Sequence, residues 1–310
     1  MSVRHRIARA LERGLPVAAP LAIAWAPLAA LGLTRPLRRP KRNGHPIPIV
    51  CVGGATLGGS GKTRLALACA RALRGLGADV VLVGHAYRAS VATARVVPRD
   101  GALATFGDEA LVCARSFDGE VITGPSRQAA VDLAGERANV IVLDGPLRVS
   151  GPRVLSILAV DEEAPWGSGA VVPAGDLRAT REALLRVADH VVPVSATPTL
   201  PPLGAAAGAA PSGLFTAIAR PERLLAALAR LGIHPAPVVS VADHGPLDAD
   251  ARRRITPDRR WLATEKCALH LASVDVRIVE LTSTITLPSA VLADLAALSV
   301  VGVSPTSGTP

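Results

Sequence analysis

The chain has 310 residues, enough for one large domain or two modest ones, and 49% are apolar, enough to bury a sizeable core. Aromatic residues make up only 2%, so that core must be built from Ala, Val, Leu and Ile, and a base-stacking nucleic-acid surface is disfavoured. A formal charge of +9 then points to anionic partners other than nucleic acid, namely acidic membrane lipids or phosphorylated substrates.

In chain order, Arg4, Arg6, Arg9 and Arg13 precede an apolar stretch from Gly14 to Leu33, followed by Arg35, Arg38, Arg39, Lys41 and Arg42. About 20 apolar residues suffice to cross a bilayer. Pro16, Pro20 and Pro27 interrupt the run, however, and a proline inside a helix costs about 3 kcal/mol. Broken helices with basic flanks fit a segment lying in the membrane interface, with the arginines on anionic headgroups. A true span and a cleaved signal peptide are the alternatives. Export is discounted because the GGSGKT run that follows at Gly58 to Thr63 reads as a nucleotide loop, and ATP is scarce outside the cytosol. Residues 1–45 are therefore expected to form a membrane-associating helical segment.

From Pro48 onward, short apolar strands alternate with helical stretches. Ile49 to Val52 reads as a buried strand, Lys62 to Leu76 as a helix, and Val80 to Val83 as the next strand. Val121 and Ile122, Val140 to Leu143, and Leu155 to Val160 continue the series. This pattern predicts an α/β fold of the P-loop NTPase type, a doubly wound and mostly parallel sheet, over residues 46–200. Residues 201–213 are rich in Pro, Ala and Gly and are expected to be a flexible linker. A second, smaller α/β lobe is expected over 214–303, with a strand at Phe215 to Ile218, a helix at Pro221 to Leu231 and a strand near Val238 to Val241. The tail 304–310 is expected to be disordered. Cys51, Cys69, Cys113 and Cys267 show no metal-ligand spacing, and reduced structural thiols in a cytosolic setting fit them best.

The strongest motif runs from Gly53 to Thr63, GGATLGGSGKT, between a buried strand and a helix. That context suits a phosphate loop, in which backbone N–H groups and a helix N-terminus converge on phosphate oxygens. Thr56, Gly58, Gly59, Ser60, Gly61, Lys62 and Thr63 are the candidate nucleotide-binding residues. Lys62 would reach the β- and γ-phosphates and Thr63 would hold a divalent ion. Thr56 stands where the usual pattern has glycine. Asp144 ends a hydrophobic strand, the position of a second metal ligand. Only Lys41, Lys62 and Lys266 among 34 basic residues are lysine, which draws attention to Lys62 and Lys266.

A threonine-opened GGSGKT loop resembles that of the tetraacyldisaccharide 4'-kinases, whose loop reads T-V-G-G-T-G-K-T. Further matches follow in order: Gly107-Asp108-Glu109 resembles a GDE motif and Gly124-Pro125-Ser126-Arg127 a G-P-x-R segment. Pro173-Ala174-Gly175-Asp176-Leu177-Arg178 resembles PAGPLRE, and Ile218-Ala219-Arg220-Pro221-Glu222-Arg223 resembles GIARPERF. Asp243-His244 resembles DHH, and Thr264-Glu265-Lys266 resembles TEKD. The resemblance runs from about residue 12 to 275. It departs at Gly84-His85-Ala86-Tyr87, where the family has Ser-Arg-Gly-Tyr, at Asp144, where the family has two aspartates, at Gly245 and at Cys267. Asp144 could match either aspartate of the family pair.

The resemblance implies phosphoryl transfer from ATP, with Mg2+, to the 4'-hydroxyl of a tetraacyldisaccharide 1-phosphate at the cytoplasmic face of the bacterial inner membrane. It implies Asp108 as the base for the acceptor hydroxyl, with Asp243-His244 orienting it and Lys62 on the phosphates. Arg127, Arg178 and Arg181 are candidate phosphate ligands. The losses leave open a catalytically weakened relative that binds nucleotide or lipid. A partitioning-type membrane ATPase is a remoter alternative, since Leu57 occupies the position of its early loop lysine.

Overall fold

The computed structural model describes residues 7, 10–84, 90–195, 197–199, 212–243, 245 and 247–302. The expected linker lies outside these up to residue 211, and so do the tail and His244. Ser212 and Gly213, which the linker was expected to include, already belong to a strand.

The N-terminal apolar run is broken near Pro16 but not at Pro27, which lies inside a helix, against the interruption expected there. A 3-10 turn at Pro16–Ala18 leads into α1 (Ala19–Leu31), with Pro20 in the first turn, where a missing N–H costs least. Thirteen residues rise only about 20 Å, short of a hydrocarbon core of about 30 Å. Among the described residues no helix is long and apolar enough to cross a membrane. Ala29 and Leu33 pack into the body with Leu158, Leu177 and Leu184. Val17, Leu21, Ile23, Leu28 and Leu31 face outward. Two flanking arginines are tied to the body: Arg38 pairs with Asp132, and Arg39 donates to the carbonyl of Pro152.

The first lobe is built on a seven-stranded sheet of β1 (Ile49–Gly54), β2 (Val80–Val83), β3 (Arg95–Val96), β4 (Glu120–Thr123), β5 (Val140–Asp144), β6 (Val154–Asp161) and β7 (His190–Val194). Their spatial order is β7-β6-β1-β5-β2-β4-β3, parallel except for the edge pair β3/β4. Strand alternation sends Val50, Val52, Val140 and Val142 to one face, under Leu65, Leu73 and Leu111 from α2 (Lys62–Gly75) and α3 (Asp108–Ser116). Ile49, Cys51, Ile141 and Leu143 go to the other, under Ala130, Val131 and Ala134 of α4 (Arg127–Arg137). Both faces are covered, as a parallel sheet demands, and the expected doubly wound fold is found.

The second lobe has four parallel strands, β8 (Ser212–Thr216), β9 (Val238–Ser240), β10 (Arg260–Thr264) and β11 (Arg277–Leu281), in the order β9-β8-β10-β11. Phe215, Trp261, Cys267 and Leu271 form its core on one face. Leu224 and Leu228 of α5 (Pro221–Arg230) pack with Leu214 and Leu262 on the other. The final helix α7 (Ser289–Gly302) does not stay with this lobe. Leu287, Val291 and Leu295 join the first lobe's core, so the expected assignment of all of 214–303 to the second lobe is corrected. The four-residue spacing of Val291 and Leu295 gives one apolar stripe, which the first lobe buries.

Candidate functional site

The phosphate loop leaves β1, where Val52 is in register with Asp144 of β5, and enters α2 at Lys62. Gly61 caps α2 with φ +74°, and a Cβ there would lie 2.4 Å from Val194 Cγ1, so only glycine fits. The first two residues of α2 converge on one carboxylate. Lys62 Nζ donates to Asp144 Oδ1 at 3.0 Å and Thr63 Oγ1 donates to Asp144 Oδ2 at 2.7 Å. Asp144 is fully buried. Burial works against the charge on Lys62, but Asp144 and Glu109 outweigh it and hold its pKa above the ordinary lysine value. Glu109 Oε2 stands 3.8 Å from Lys62 Nζ.

Gly58, Gly59, Ser60, Gly61, Lys62 and Thr63 line one wall of an interlobe cleft of about 280 Å³; Asp243, Thr264 and Lys266 line the other. Thr56 braces the loop from behind: it is buried, and its hydroxyl donates to the carbonyl of Gly58. The second lobe reaches over the loop through Ala219 and Arg220, and a Cβ on Gly59 would meet Arg220 Cδ at 3.0 Å. Arg220 is buried and paired with Asp176 and Glu12, so it joins the N-terminal segment to the loop. Arg223 on α5 pairs with the buried Asp161 at the end of β6 and adds a second interlobe tie.

Asp108 opens α3 and is buried. Its Oδ1 accepts from the backbone N–H of Glu109 at 2.8 Å. Its Oδ2 lies 3.8 Å from Lys266 Nζ, which donates to Asp243 Oδ1 at 3.1 Å. The structure thus gathers Asp108, Lys266 and Asp243 into one cluster. Adjacent residues Asp108 and Glu109 link that cluster to Lys62. The partner predicted for Asp108, His244, lies outside the described residues.

The three arginines considered for phosphate each have a protein partner. Arg127 Nη1 donates to the carbonyls of Asp144 and Gly145, pinning the backbone beneath the site. Arg178 Nε donates to the carbonyl of Thr56 at 3.0 Å. Arg181 stacks on Trp166, 4.9 Å from the ring centroid. All four cysteines are free and buried, and burial pushes the Cys51 and Cys69 thiols up to about 12. Cys267 accepts from the N–H of Ala217 inside the second lobe's core, a place without room for a solvated carboxylate.

A family model described as tetraacyldisaccharide-1-P 4'-kinase matches residues 16–299. The chain belongs to this family. The tetraacyldisaccharide 4'-kinase of Hyphomonas neptunium is 32% identical, over 72% of this chain and 71% of its own. That of Parvibaculum lavamentivorans is 30% identical over 86% of each. The crystal structure of Aquifex aeolicus LpxK in complex with ATP superposes with a TM-score of 0.69. It covers 92% of this chain and 99% of its own at 18% identity, a likeness of fold.

Sequence reasoning missed three neighbours of the site. Glu109 and Arg220 stood inside quoted motifs without a role. His270, whose Nε2 is 3.4 Å from Asp108 Oδ2, stood outside every motif. Its only signal was its spacing of four residues from Lys266, one turn along the same helix face.

Proposed function

We propose that this chain transfers the γ-phosphoryl group of ATP to the 4'-hydroxyl of a tetraacyldisaccharide 1-phosphate. The observation that carries the reading is the convergence of Lys62 and Thr63 on the buried Asp144, with a second buried carboxylate, Asp108, beside the Glu109 that reaches Lys62. Phosphoryl transfer needs positioning and charge neutralisation more than covalent chemistry. The loop N–H groups and Lys62 serve the phosphates. Asp108 takes the proton of the acceptor hydroxyl as its oxygen attacks the γ-phosphorus and ADP departs. Lys266 bridges Asp243 and the base.

Among the described residues no group of three or more His, Cys, Asp or Glu forms a metal cage. Magnesium needs none, since it binds through one or two carboxylates together with substrate phosphates. The hydroxyl of Thr63 and the carboxylate of Asp144 are hard oxygen ligands of that kind and would hold Mg2+. Bound there, the ion neutralises charge on the phosphate oxygens.

The outward-facing Val17, Leu21, Ile23, Leu28 and Leu31 support docking of α1 on the cytoplasmic face of the inner membrane, where an amphiphilic acceptor is embedded. The test is transfer from radiolabelled ATP to tetraacyldisaccharide 1-phosphate in mixed micelles with magnesium. Labelled lipid is expected with the wild type and about a thousandfold less with Lys62→Ala. A folded, ATP-binding wild type that labels no lipid would overturn the proposal in favour of a relative that has lost transfer.

A further inference from the structure

Asp108 belongs to α3 of the first lobe, whereas the groups around its Oδ2 come from α6 (Glu265–Leu271) of the second. Thr264 caps α6, its hydroxyl accepting from the N–H of Cys267, which fixes where the helix starts and which face it turns inward. Lys266 and His270, four residues apart, rise on one face, and α6 packs on α3. His270 Nε2 stands 3.4 Å from Asp108 Oδ2, and the two side chains are only 5% and 4% exposed.

The N–H of Glu109 holds Oδ1. Lys266 is a flexible point charge that sits closer to Asp243, at 3.1 Å, than to Asp108, at 3.8 Å. The imidazole of His270 is rigid, buried and donates along one direction. Accepting Asp108 as the base, the geometry points to His270 as a positioning residue whose Nε2–H holds Oδ2 in its reactive orientation. This hold is made across the lobe boundary. The second lobe, seated on the first, therefore takes part in aligning the base.

A misplacement of about 1 Å at a reacting group costs about a hundredfold in rate. His270→Leu, which removes the donor, is expected to lower kcat about tenfold to a hundredfold, leaving KM for ATP within about twofold. A hydrogen bond donated to a carboxylate favours its charged form, so the acid limb of the kcat–pH profile should move to higher pH in the variant. Among the described residues, the charged groups around the pair stay in place: Glu109 on α3, Lys266 on α6, Asp243, and Lys62 beyond Glu109. His270→Gln keeps an N–H donor and should recover most of kcat. His270→Phe keeps a ring without a donor and repeats the comparison should the leucine variant not fold.

Wild-type kcat and an unmoved acid limb in the donor-less variants would overturn the inference, as would His270→Gln falling as far as they do. Asp108→Asn, assayed alongside, separates the two readings. A wild-type rate in Asp108→Asn overturns Asp108 as the base and this inference with it. An inactive Asp108→Asn beside an unaffected His270→Leu overturns the role of His270 alone.

Discussion

One wall of the cleft comes from a single strand, loop and helix, with Gly58 to Thr63 contiguous in the chain; the other is gathered from Asp243, Thr264 and Lys266 of a second lobe, with Arg220 laid over the loop between them. The loop wall is shaped by backbone: glycines at positive φ and the first turn of a helix aim N–H groups whatever the second lobe does. The facing wall is shaped by docking. Its cation Lys266 meets Asp108 only because two lobes are seated together. Damage to the first wall should therefore appear in nucleotide binding, and damage to the second in transfer or in seating.

The largest effect is expected from Lys62→Ala. It removes a phosphate cation and leaves the buried Asp144 without its ion-pair partner, so both Mg-ATP affinity and transfer should fall, transfer on the order of a thousandfold. Equilibrium binding and radiometric transfer on the same preparation check this. Full ATP affinity would break the assignment of nucleotide binding to the loop wall.

Arg220→Ala comes next, acting on seating. The guanidinium is 3% exposed and paired to the equally buried Asp176, so truncation strands a charge and should cost about 3–5 kcal/mol in urea unfolding. A loss below about 1 kcal/mol would show that the lobes are held by other contacts. Smaller still is the effect of Leu21→Asp with Ile23→Asp on the outward face of α1. Vesicle co-sedimentation should drop about tenfold or more for lost apolar burial, while ATP binding stays unchanged.

The smallest effect is a pH dependence at Glu265. Burial raises its pKa above the ordinary 4.5, against a hydrogen bond from Ser116 that lowers it. A carboxyl with a raised folded pKa is a burden in its charged form above that folded value, and the burden disappears as pH falls below 4.5. Glu265→Gln should therefore raise the melting temperature by about 1–2 °C at neutral pH and not at all below pH 4.5. A gain at acid pH would contradict the burial of its charge.

The same contrast governs what the sequence discloses. The phosphate loop and strands such as Val80–Val83 are legible because apolar runs, glycines and GKT act within a few residues. His190–Val194 passes unread because Pro193 argues against a strand, and the structure puts it at the sheet edge, where a proline is tolerated. The return of α7 to the first lobe depends on which surface its Val291 and Leu295 find, which no local pattern states. The hold of His270 on Asp108 is a contact between residues 162 apart, and the spacing from Lys266 indicates a shared face without naming what it meets.

The most direct test compares wild type with Asp108→Asn in a single-turnover experiment with Mg-ATP and tetraacyldisaccharide 1-phosphate, reading ATP binding and phosphoryl transfer separately. If the loop wall binds and Asp108 serves as the base, the variant will bind ATP as the wild type does and transfer about 10²–10⁴-fold more slowly. Transfer at the wild-type rate, or loss of ATP binding in step with loss of transfer, would contradict the separation of nucleotide binding by the loop from proton removal by Asp108.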